Sequence, residues 1–380
     1  MDHLPAMIGR FTVDLELGRG GMGRVYLAYS EAGEQVAVKV IRQDRIDEET
    51  RKRFEREALI AQNLIGTNQV AHYLDADPFA AQPWLAMEYV PGVTLRDYVT
   101  QHGPLPAHLV VGLGVVIVDG LRAVHGAGLV HRDMKPHNVI LSRRGPVLID
   151  FGLGAFVDRN EESISSGGKL IGTVSFMAPE QVNGSSETSA KTDVHALGSM
   201  LLYAATQKLP YGDGGNYVTL SRIGDRTIQP DLDGLPAALK PLVSSLLAHD
   251  PDDRPTLAAV HTMCTELLES AGTTVRDVRR MLISHTFLDG TDAHQQSPSF
   301  AKRMAELEKL FTDLPSQDRA LDRAVGIGGA IVDVPEAEPE EPTPAEPPGP
   351  ASARQRVADR LREQYGRQLL LWSSSSRRSV

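Results

Sequence analysis

The sequence predicts an α+β fold of two lobes, a small strand-rich lobe followed by a larger helical one. Before about residue 90, runs such as RVYLAYS and EQVAVKVI alternate apolar and polar residues, as strands with one buried face do. After about residue 94, long segments carry apolar residues at helical spacing instead. The change of pattern near residues 87–92 indicates a junction between the lobes, with a cleft beside it.

Composition is typical of a globular protein and narrows the class of function. The chain has 380 residues, of which 41% are hydrophobic and 23% charged, and its formal net charge is −10. This acidic balance argues against a dedicated nucleic-acid-binding protein, which usually carries a basic footprint. The single cysteine, Cys264, cannot form an internal disulfide, as is typical of the reducing cytoplasm, and its apolar surroundings predict a buried, inert thiol.

No membrane or secretion signal is evident in the sequence. The N-terminus, MDHLPAMIGRF, lacks the charged-then-apolar pattern of a signal peptide. The most apolar run, LVVGLGVVIV at 109–118, is much shorter than the roughly 20 residues of a membrane helix. We therefore expect a buried helix there and a cytoplasmic protein without a transmembrane segment.

The elements of the first lobe follow from local patterns. Strands are predicted within residues 11–41, on both sides of the turn-like EAGE. A helix is predicted over 47–64, where Phe54 and Ala58 recur among charged residues. Two further strands are predicted within 70–90, the second ending in WLAMEYV.

The second lobe is predicted to be mainly helical. Its long helical segments are 105–126, 191–206, 236–248 and 255–270. Beyond residue 270 the pattern weakens, and the region 271–334 is expected to be a helical or irregular extension with one amphipathic helix at 300–311.

The C-terminal region changes composition twice. Residues 335–350, PEAEPEEPTPAEPPGP, are rich in proline and glutamate and predict an extended, solvated linker. Residues 351–380 begin with a basic stretch of helical spacing, up to Trp372, and end in SSSSRRSV, which predicts a disordered tail. The basic helix can pack on the protein itself, bind a partner groove or contact an acidic membrane surface.

A glycine-rich motif, GRGGMGRV at 18–25, contains Gly18, Gly20 and Gly23. Glycines let a backbone approach phosphates closely and expose its N–H groups to them. A dinucleotide-binding turn of similar spacing must open a helix, whereas this motif opens the strand RVYLAY. A hairpin over phosphates is therefore favoured, with a glycine-rich surface turn as the alternative.

Lys39 lies within the apolar strand VAVKV and needs a partner, because a buried lone ammonium group is costly. Strand alternation places Val36 and Val38 on one face and Lys39 on the other. Glu57, beside the apolar face of the following helix, is the predicted partner. Taken alone, the pair suits a structural and a functional ion pair equally well.

Two polar segments next to apolar strands complete the candidate chemistry. In HRDMKPHN, Asp133 can accept or orient a hydroxyl proton, Asn138 can hold a divalent metal, and Lys135 can reach a phosphoryl group in transfer. In DFG, Asp150 follows an apolar strand, where a carboxylate is a natural Mg²⁺ ligand. A plain turn is the alternative for DFG by itself.

Together these motifs resemble those of the eukaryotic-type (Hanks-type) protein Ser/Thr kinases, of the kind also found in bacteria. The matching motifs, in order, are G-x-G-x-x-G-x-V at 18–25, V-A-V-K at 36–39, H-R-D-x-K-x-x-N at 131–138, D-F-G at 150–152 and A-P-E at 178–180. The resemblance covers residues 8–270, with an N-lobe of 8–90 and a C-lobe of 93–270. It implies the two-lobe protein kinase fold, with an antiparallel sheet plus one helix in the N-lobe and a mainly helical C-lobe.

The resemblance also implies roles for individual residues. Asp133 would be the catalytic base, assisted by Lys135, with Lys39 held by Glu57. The nucleotide, ATP, would be contacted by Gly18, Gly20, Gly23, Val25, Ala37, Lys39, Met87 as gatekeeper, Glu88 and Val90 in the hinge, Asn138, Ile140 and Asp150. Asn138 and Asp150 would hold Mg²⁺, for which Mn²⁺ can substitute.

The expected acceptors are Ser and Thr hydroxyls of proteins, in a signalling role. Lys135 in the catalytic loop and the segment GTVSFMAPE are typical of Ser/Thr kinases, with Thr173 lining the substrate site. Glu180 and Arg254 resemble the family's buried structural ion pair. Kinases of this type often dimerise, so a homodimer is among the expected partners, as is a contact through 351–372.

Regulation is predicted in the segment between DFG and APE. It contains Ser163, Ser165 and Ser166, and Arg132 precedes Asp133. In similar kinases such an arginine pairs with a phosphorylated activation loop. We therefore predict autophosphorylation within 163–166, although many bacterial relatives carry threonines there and the serines can equally be part of an ordinary polar loop.

Three rival functions follow from the same fold. A pseudokinase scaffold would lack one of Lys39, Asp133, Asn138 or Asp150, and all four are present. Small-molecule phosphotransferases share the fold and the Asp–Asn pattern but usually lack the A-P-E segment and Lys135. An interaction protein that acts mainly through its tail is the third.

Overall fold

The structure, a computed structural model, describes residues 4–20, 23–42, 48–61, 67–150, 174–184, 189–287 and 298–313. All of them belong to one of two compact units of the chain, residues 1–329. The second unit, 330–380, lies outside the described residues. The predictions of a linker at 335–350 and a basic helix at 351–372 therefore stay predictions.

The first lobe is built on an antiparallel sheet of six strands in the order β1-β2-β3-β4-β6-β5. The strands are β1 (Met7–Ile8), β2 (Phe11–Gly20), β3 (Gly23–Tyr29), β4 (Gln35–Ile41), β5 (Tyr73–Asp77) and β6 (Trp84–Glu88). The predicted alternation along β4 is present, because Val36 and Val38 pack into one apolar cluster with Phe11 and Trp84, while Ala37 packs into another. One face of the sheet thus covers an outer core and the other faces helix α1 (Glu48–Ala61).

The second lobe contains nine helices within the described residues and a small sheet. The helices are α2 (Leu95–His102), α3 (Ala107–Gly126), α4 (Pro179–Val182), α5 (Ala190–Thr206), α6 (Asn216–Gly224), α7 (Lys240–Leu246), α8 (Leu257–Ser270), α9 (Val275–Thr286) and α10 (Pro298–Asp313). The sheet joins β7 (Gly92–Thr94), β8 (Val139–Ser142) and β9 (Gly145–Leu148). A strand lobe followed by a helical lobe is the predicted arrangement.

Helix α3 is the centre of the second lobe. Its sequence is apolar on nearly all sides, as expected of a helix surrounded by protein. Within the described ranges it is the one helix long and apolar enough to suit a membrane span, and 83% of that apolar window is buried inside the protein. The apolar run predicted to be a buried helix is therefore the middle of a longer core helix.

Helix α8 packs against α3 and carries the single cysteine. Cys264 is fully buried, and this burial raises the pKa of its thiol to about 12. A thiol of that pKa stays protonated at neutral pH and is a poor nucleophile. The predicted packing role of Cys264 fits these surroundings.

The region predicted as an extension contributes two helices to the same core. In α9, Val278 and Leu282 are fully buried, and in α10 Leu307 and Phe311 are fully buried. A Cβ atom at Gly112 of α3 would lie 2.4 Å from Cγ1 of Val278, so glycine is what allows α9 to approach α3 so closely. The amphipathic helix predicted at 300–311 lies within α10.

A buried ion pair joins α4 to the segment just before α8. Arg254 donates to both carboxylate oxygens of Glu180, over 2.7 and 2.8 Å. Its remaining N–H groups donate to the carbonyl oxygens of Ala248, Lys191 and His249. All donors of this fully buried guanidinium group are therefore satisfied.

The ion pair also sets the charge state of Glu180. Burial alone would raise the pKa of this carboxyl group, but Arg254 and the hydroxyl of Thr192 hold it below its ordinary value. Because the folded pKa is lowered, the stabilisation is present above the unfolded pKa and is lost as the pH falls through the folded one.

We predict that Arg254→Met lowers the free energy of unfolding by about 3–5 kcal/mol, because it leaves the Glu180 carboxylate buried without its partner. The matched control is Arg226→Met, which removes an exposed pair with Asp250 at 3.1 Å and is expected to cost far less, because water screens exposed charges. Urea unfolding at neutral pH measures both. Equal losses for the two variants would contradict a structural role for the Glu180–Arg254 pair.

Candidate active site

The predicted catalytic and metal-binding residues whose side chains the structure describes come from both lobes and lie where the lobes adjoin. Lys39 lies on β4 of the first lobe. Asp133 and Lys135 lie in the segment between α3 and β8, and Asn138 ends the short 3₁₀-helix Pro136–Asn138 within it. Asp150 follows β9.

Lys39 pairs with Asp150 across the two lobes. Its Nζ atom lies 2.9 Å from Oδ2 of Asp150, although the two residues are 111 positions apart in the sequence. Lys39 is buried in the sheet, in register with Val25 on β3 and Leu85 on β6. The partner predicted for Lys39, Glu57, belongs to α1, but its side chain is outside the described part of the structure, so that pairing stays a prediction.

Asp150 is a largely buried acid in an unusual backbone conformation, with a φ of 60°. Burial alone would raise its pKa, but the adjacent Lys39 ammonium, with Lys135 and His131 farther away, holds the pKa below its ordinary value. Asp150 is therefore a carboxylate at neutral pH.

The polar loop brings Asp133, Lys135 and Asn138 together. The Lys135 ammonium lies 2.6 Å from Oδ2 of Asp133. The Asn138 side-chain amide donates to the backbone carbonyl of Asp133 over 2.7 Å and to its Oδ2 over 3.1 Å. One carboxylate is thus oriented by a cation and an amide that follow it within five residues.

The loop is also tied to the Asp150 strand end. The backbone N–H of Ile149 donates to the carbonyl oxygen of Asn138 over 2.9 Å. Because the amide nitrogen of Asn138 is committed to Asp133, its amide oxygen is the end that a cation would meet. An amide oxygen and a carboxylate are ligands that Mg²⁺ accepts, so Asn138 and Asp150 fit such an ion.

Asp193 is a residue of the site that the sequence analysis missed. This fully buried carboxylate accepts hydrogen bonds from the backbone N–H groups of His131 and Arg132, both over 2.8 Å. His125 on α3 lies 2.7 Å from its Oδ2. Arg132 has a φ of 68°, a left-handed conformation that costs roughly 1–2 kcal/mol, and these bonds hold it there.

His131 supports the loop from the core. It is fully buried, and neither ring nitrogen has a hydrogen-bond partner among the described residues. Burial lowers its pKa, even though the carboxylates of Asp193 and Asp133 oppose the shift. The His131 imidazole is therefore uncharged at neutral pH and packs in the core next to the polar loop.

The residues predicted to surround a nucleotide base lie around the lobe junction. Ala37 on β4 is in register with Met87 on β6, and Met87 packs against the α1 residues in the first lobe's core. Val90, past the end of β6, shares an apolar cluster with Ile140 of β8. Val25, Ala37 and Ile140 are each only partly buried, as residues facing a cleft would be.

Two side-chain contacts near this junction were also not foreseen. Glu88 forms a two-point ion pair with Arg144, from the β8–β9 turn, at 2.6 and 2.8 Å. Arg96 on α2 lies 2.6 Å from Nε2 of His137 in the polar loop. Both pairs join positions too distant in sequence for any local pattern to reveal.

The glycine-rich segment is a hairpin, as predicted, because it joins β2 to β3. A Cβ atom at Gly23 would lie 1.9 Å from the carbonyl oxygen of Val40, so no other residue fits there without a backbone shift. Gly18 and Gly20 face open space instead. Their lack of side chains leaves room at the hairpin, and a helix-opening dinucleotide turn is ruled out here.

Of the predicted regulatory residues, the structure describes Arg132. Ser163, Ser165, Ser166 and Thr173 lie outside the described residues. The backbone carbonyl of Arg132 accepts a hydrogen bond from the side chain of Gln181 over 3.3 Å, which ties the polar loop to α4.

Comparisons with known proteins give a consistent result. The family model of the protein kinase domain matches residues 11–269. The serine/threonine-protein kinase AfsK of Streptomyces coelicolor is 40% identical over 275 residues, which is 71% of this chain and 33% of the relative. The probable serine/threonine-protein kinase PkwA of Thermomonospora curvata is 41% identical over 255 residues, 67% of this chain and 34% of the relative. The chain thus spans about a third of the length of these curated relatives.

A solved structure shares the fold. The crystal structure of Rad53 1–466 in complex with AMP-PNP superposes with a TM-score of 0.55 at 22% sequence identity. The match covers 67% of this chain and 65% of that chain. At this identity the likeness concerns the fold alone.

We predict that Lys39→Met raises the pKa of Asp150, because burial would then act on the carboxyl group with only Lys135 and His131 opposing it. Titration of the side-chain carboxyl ¹³C resonance by NMR measures the shift. The control is Lys52→Met, which removes an exposed pair with Glu48 on α1 and should leave Asp150 unchanged. An Asp150 titration that is the same in Lys39→Met and in the unmodified protein would refute the proposed coupling.

Proposed function

Because this chain belongs to the protein kinase family, with the two-lobe kinase fold that the sequence predicted, we propose that it transfers the γ-phosphoryl group of ATP to Ser and Thr hydroxyls of proteins. The observation that carries the proposal is the convergence of Asp133, Lys135 and Asn138 in one loop. Lys135 also lies close enough to the Lys39–Asp150 pair to affect the pKa of Asp150. The similar bacterial proteins are named serine/threonine-protein kinases, which supports this class of acceptor.

Asp133 is proposed to receive the incoming hydroxyl. Lys135 and the Asn138 amide both contact Oδ2 of Asp133. The carboxylate is therefore oriented before the substrate arrives. A carboxylate so placed orients the hydroxyl and accepts its proton as the bond to phosphorus forms. Lys135, 2.6 Å from that carboxylate, can offset negative charge on the phosphoryl group in transfer.

Asn138 and Asp150 are proposed to hold the divalent metal. A divalent ion held there, Mg²⁺ or Mn²⁺, would offset the negative charge of the phosphates. Asp150 contributes a carboxylate whose lowered pKa keeps it ionised. The hydrogen bond from the backbone N–H of Ile149 to the carbonyl oxygen of Asn138 links the chain segments that carry the two proposed ligands.

The remaining contacts concern ATP itself. Lys39, now paired with Asp150, is proposed to reach the α and β phosphates, and Glu57 is proposed to hold it there. The hairpin that contains Gly18, Gly20 and Gly23 is proposed to lie over the phosphates, where Gly18 and Gly20 leave open space. The adenine is proposed to lie among Val25, Ala37 and Ile140, with Met87 behind it and the backbone of Glu88 and Val90 at its edge.

Protein substrates are the proposed partners, in a signalling role in the cytoplasm. The acidic net charge of −10 gives no support to a nucleic-acid partner. Homodimer formation and a partner or membrane-surface contact through 351–372 remain proposals from the sequence. Autophosphorylation at Ser163, Ser165 or Ser166 is proposed as the activating event, with Arg132 pairing with the phosphate.

We predict that the unmodified protein, incubated with γ-labelled ATP and Mg²⁺, becomes labelled, and that Asp133→Asn lowers labelling by about 10²–10⁴-fold, because the hydroxyl loses its proton acceptor. Mass spectrometry then locates the phosphorylated residues. Phosphate within 163–166 or at Thr173 supports the regulatory proposal, and phosphate elsewhere contradicts it.

The control for this experiment is ATP binding by both proteins, measured by calorimetry. Equal binding shows that the substitution acts on transfer and leaves the nucleotide site intact. Equal labelling of the two proteins would overturn the role of Asp133. Absence of label in the unmodified protein, with ATP bound, would favour a scaffold function instead.

We predict that Asp193→Asn lowers kcat by about 10–100-fold, with the dissociation constant for ATP nearly unchanged. The substitution removes one acceptor oxygen from beneath His131 and Arg132, so the loop loses its fixed position, and small displacements of reacting groups have effects of this size. Steady-state kinetics and nucleotide binding measure the two effects. Loss of ATP binding in parallel with kcat would contradict a role confined to the loop.

A further inference from the structure

We infer that helix α9 and the β8–β9 turn brace the hinge between the lobes, which makes Arg144 a positioning residue for the bound nucleotide. The inference rests on the proposed function, since the hinge carries the proposed adenine contacts. It goes beyond the family match, which ends at residue 269, before α9 begins at Val275.

The first step is the ion pair between the turn and the hinge. Glu88 is the last residue of β6, and both its carboxylate oxygens are bound by the Arg144 guanidinium, at 2.6 and 2.8 Å. The backbone N–H of Glu88 donates to the carbonyl oxygen of His72 over 2.8 Å, and the backbone N–H of His72 donates to Oε2 of Glu88 over 3.2 Å. The end of β6 is thus fixed from its own lobe and from the second lobe.

The charge state of Glu88 suits this role. Burial alone would raise the pKa of its carboxyl group, but Arg144 and His72 hold the pKa below its ordinary value. Two parallel charge-assisted bonds fix direction as well as distance. The pair therefore sets where the hinge begins relative to the second lobe.

The second step is the turn that presents Arg144. The hydroxyl of Ser142 donates to the carbonyl oxygen of Gly145 over 2.7 Å, and the backbone N–H of Arg144 donates to that hydroxyl over 3.3 Å. Ser142 is also in register with Gly92, the first residue of β7. The same hairpin therefore contacts the chain just before and just after the hinge.

The third step is the support that α9 gives to the turn. Arg279 donates to the carbonyl oxygen of Arg144 over 3.4 Å. Ile283, one helical turn along, lies 3.5 Å from the position that a Cβ atom of Gly145 would occupy. At its far end, α9 accepts a hydrogen bond from the Tyr98 hydroxyl of α2 at the carbonyl oxygen of His285. The turn thus rests on a helix that is itself anchored in the core.

The experiment compares Arg144→Met, Ile283→Ala and the double variant in the full chain. The Mg²⁺ complex of a non-hydrolysable ATP analogue is the calorimetric probe, and KM for ATP and kcat are measured alongside. We expect Arg144→Met to raise the dissociation constant and KM by about 3–10-fold with kcat within about two-fold. Ile283→Ala should have a smaller effect in the same direction.

The double variant tests whether the two residues act in series. If α9 acts through Arg144, the double variant binds the analogue no more weakly than Arg144→Met alone. The matched control is Arg280→Met on the same helix, which removes a surface pair with Asp277 at 3.3 Å and should leave binding unchanged. Arg144→Lys retains the charge without the two-point geometry and should give an intermediate constant.

The outcomes separate this inference from the proposed function. Analogue binding that is the same in Arg144→Met and Arg144→Lys as in the unmodified protein would overturn the brace. Additive effects in the double variant would overturn the route from α9 through Arg144. A loss of kcat as large as the rise in KM would indicate a general structural defect and would also overturn it. Absence of phosphoryl transfer beside normal analogue binding would overturn the proposed function alone, because the binding data still decide the brace.

Discussion

The buried carboxylate of Asp193 is the constraint on which the polar loop depends. A charge taken out of water costs several kcal/mol unless hydrogen bonds replace its hydration. Here the replacements are two backbone N–H groups of the loop and a histidine of the core helix α3. If the loop left its left-handed conformation at Arg132, the buried Asp193 carboxylate would lose its hydrogen-bond donors. This cost keeps the loop, and with it Asp133, in position.

Two other ion pairs differ in how much of each pair is exposed to solvent, and this difference matches the different roles assigned to them. In the Glu180–Arg254 pair the arginine side chain is fully enclosed and the glutamate is 10% exposed. In the Lys39–Asp150 pair the side chains are 10% and 20% exposed, and the partners come from different lobes. The first pair has every donor occupied by the protein, which leaves nothing for a ligand. The second lies at the junction of the lobes, where the proposed phosphates and metal would share in its bonding.

Much of the fold was predictable because its signals are local. The alternation in β4 and the apolar run of α3 each indicate which residues are buried. The helix predicted at 105–126 is observed at Ala107–Gly126. Three short helices, α2, α4 and α6, were not predicted, because four to nine residues give too few repeats of a helical pattern. The segment 236–248 was predicted as one helix but begins as a 3₁₀-turn before α7.

The site was predictable only where its chemistry lies within one short motif. Asp133, Lys135 and Asn138 meet because they are neighbours in sequence. Asp193 and Arg144 act on residues 56 or more positions away, so only the packed core can reveal them. The best available signal for Asp193 was an acid in the first turn of an otherwise apolar helix, a position that an exposed helix start would also allow.

The composition of α3 has a consequence for how the chain is made. The helices that cover it include α5, α8, α9 and α10, and the last of these ends about 190 residues after α3 does. At typical rates of synthesis, that delay is roughly 10–40 seconds. During this interval a nascent segment with the hydropathy of a membrane span lacks one or more of the helices that cover it in the folded protein. Chaperones that bind apolar stretches would have their principal substrate in this chain at α3, and slow translation after Gly126 would lengthen its exposure.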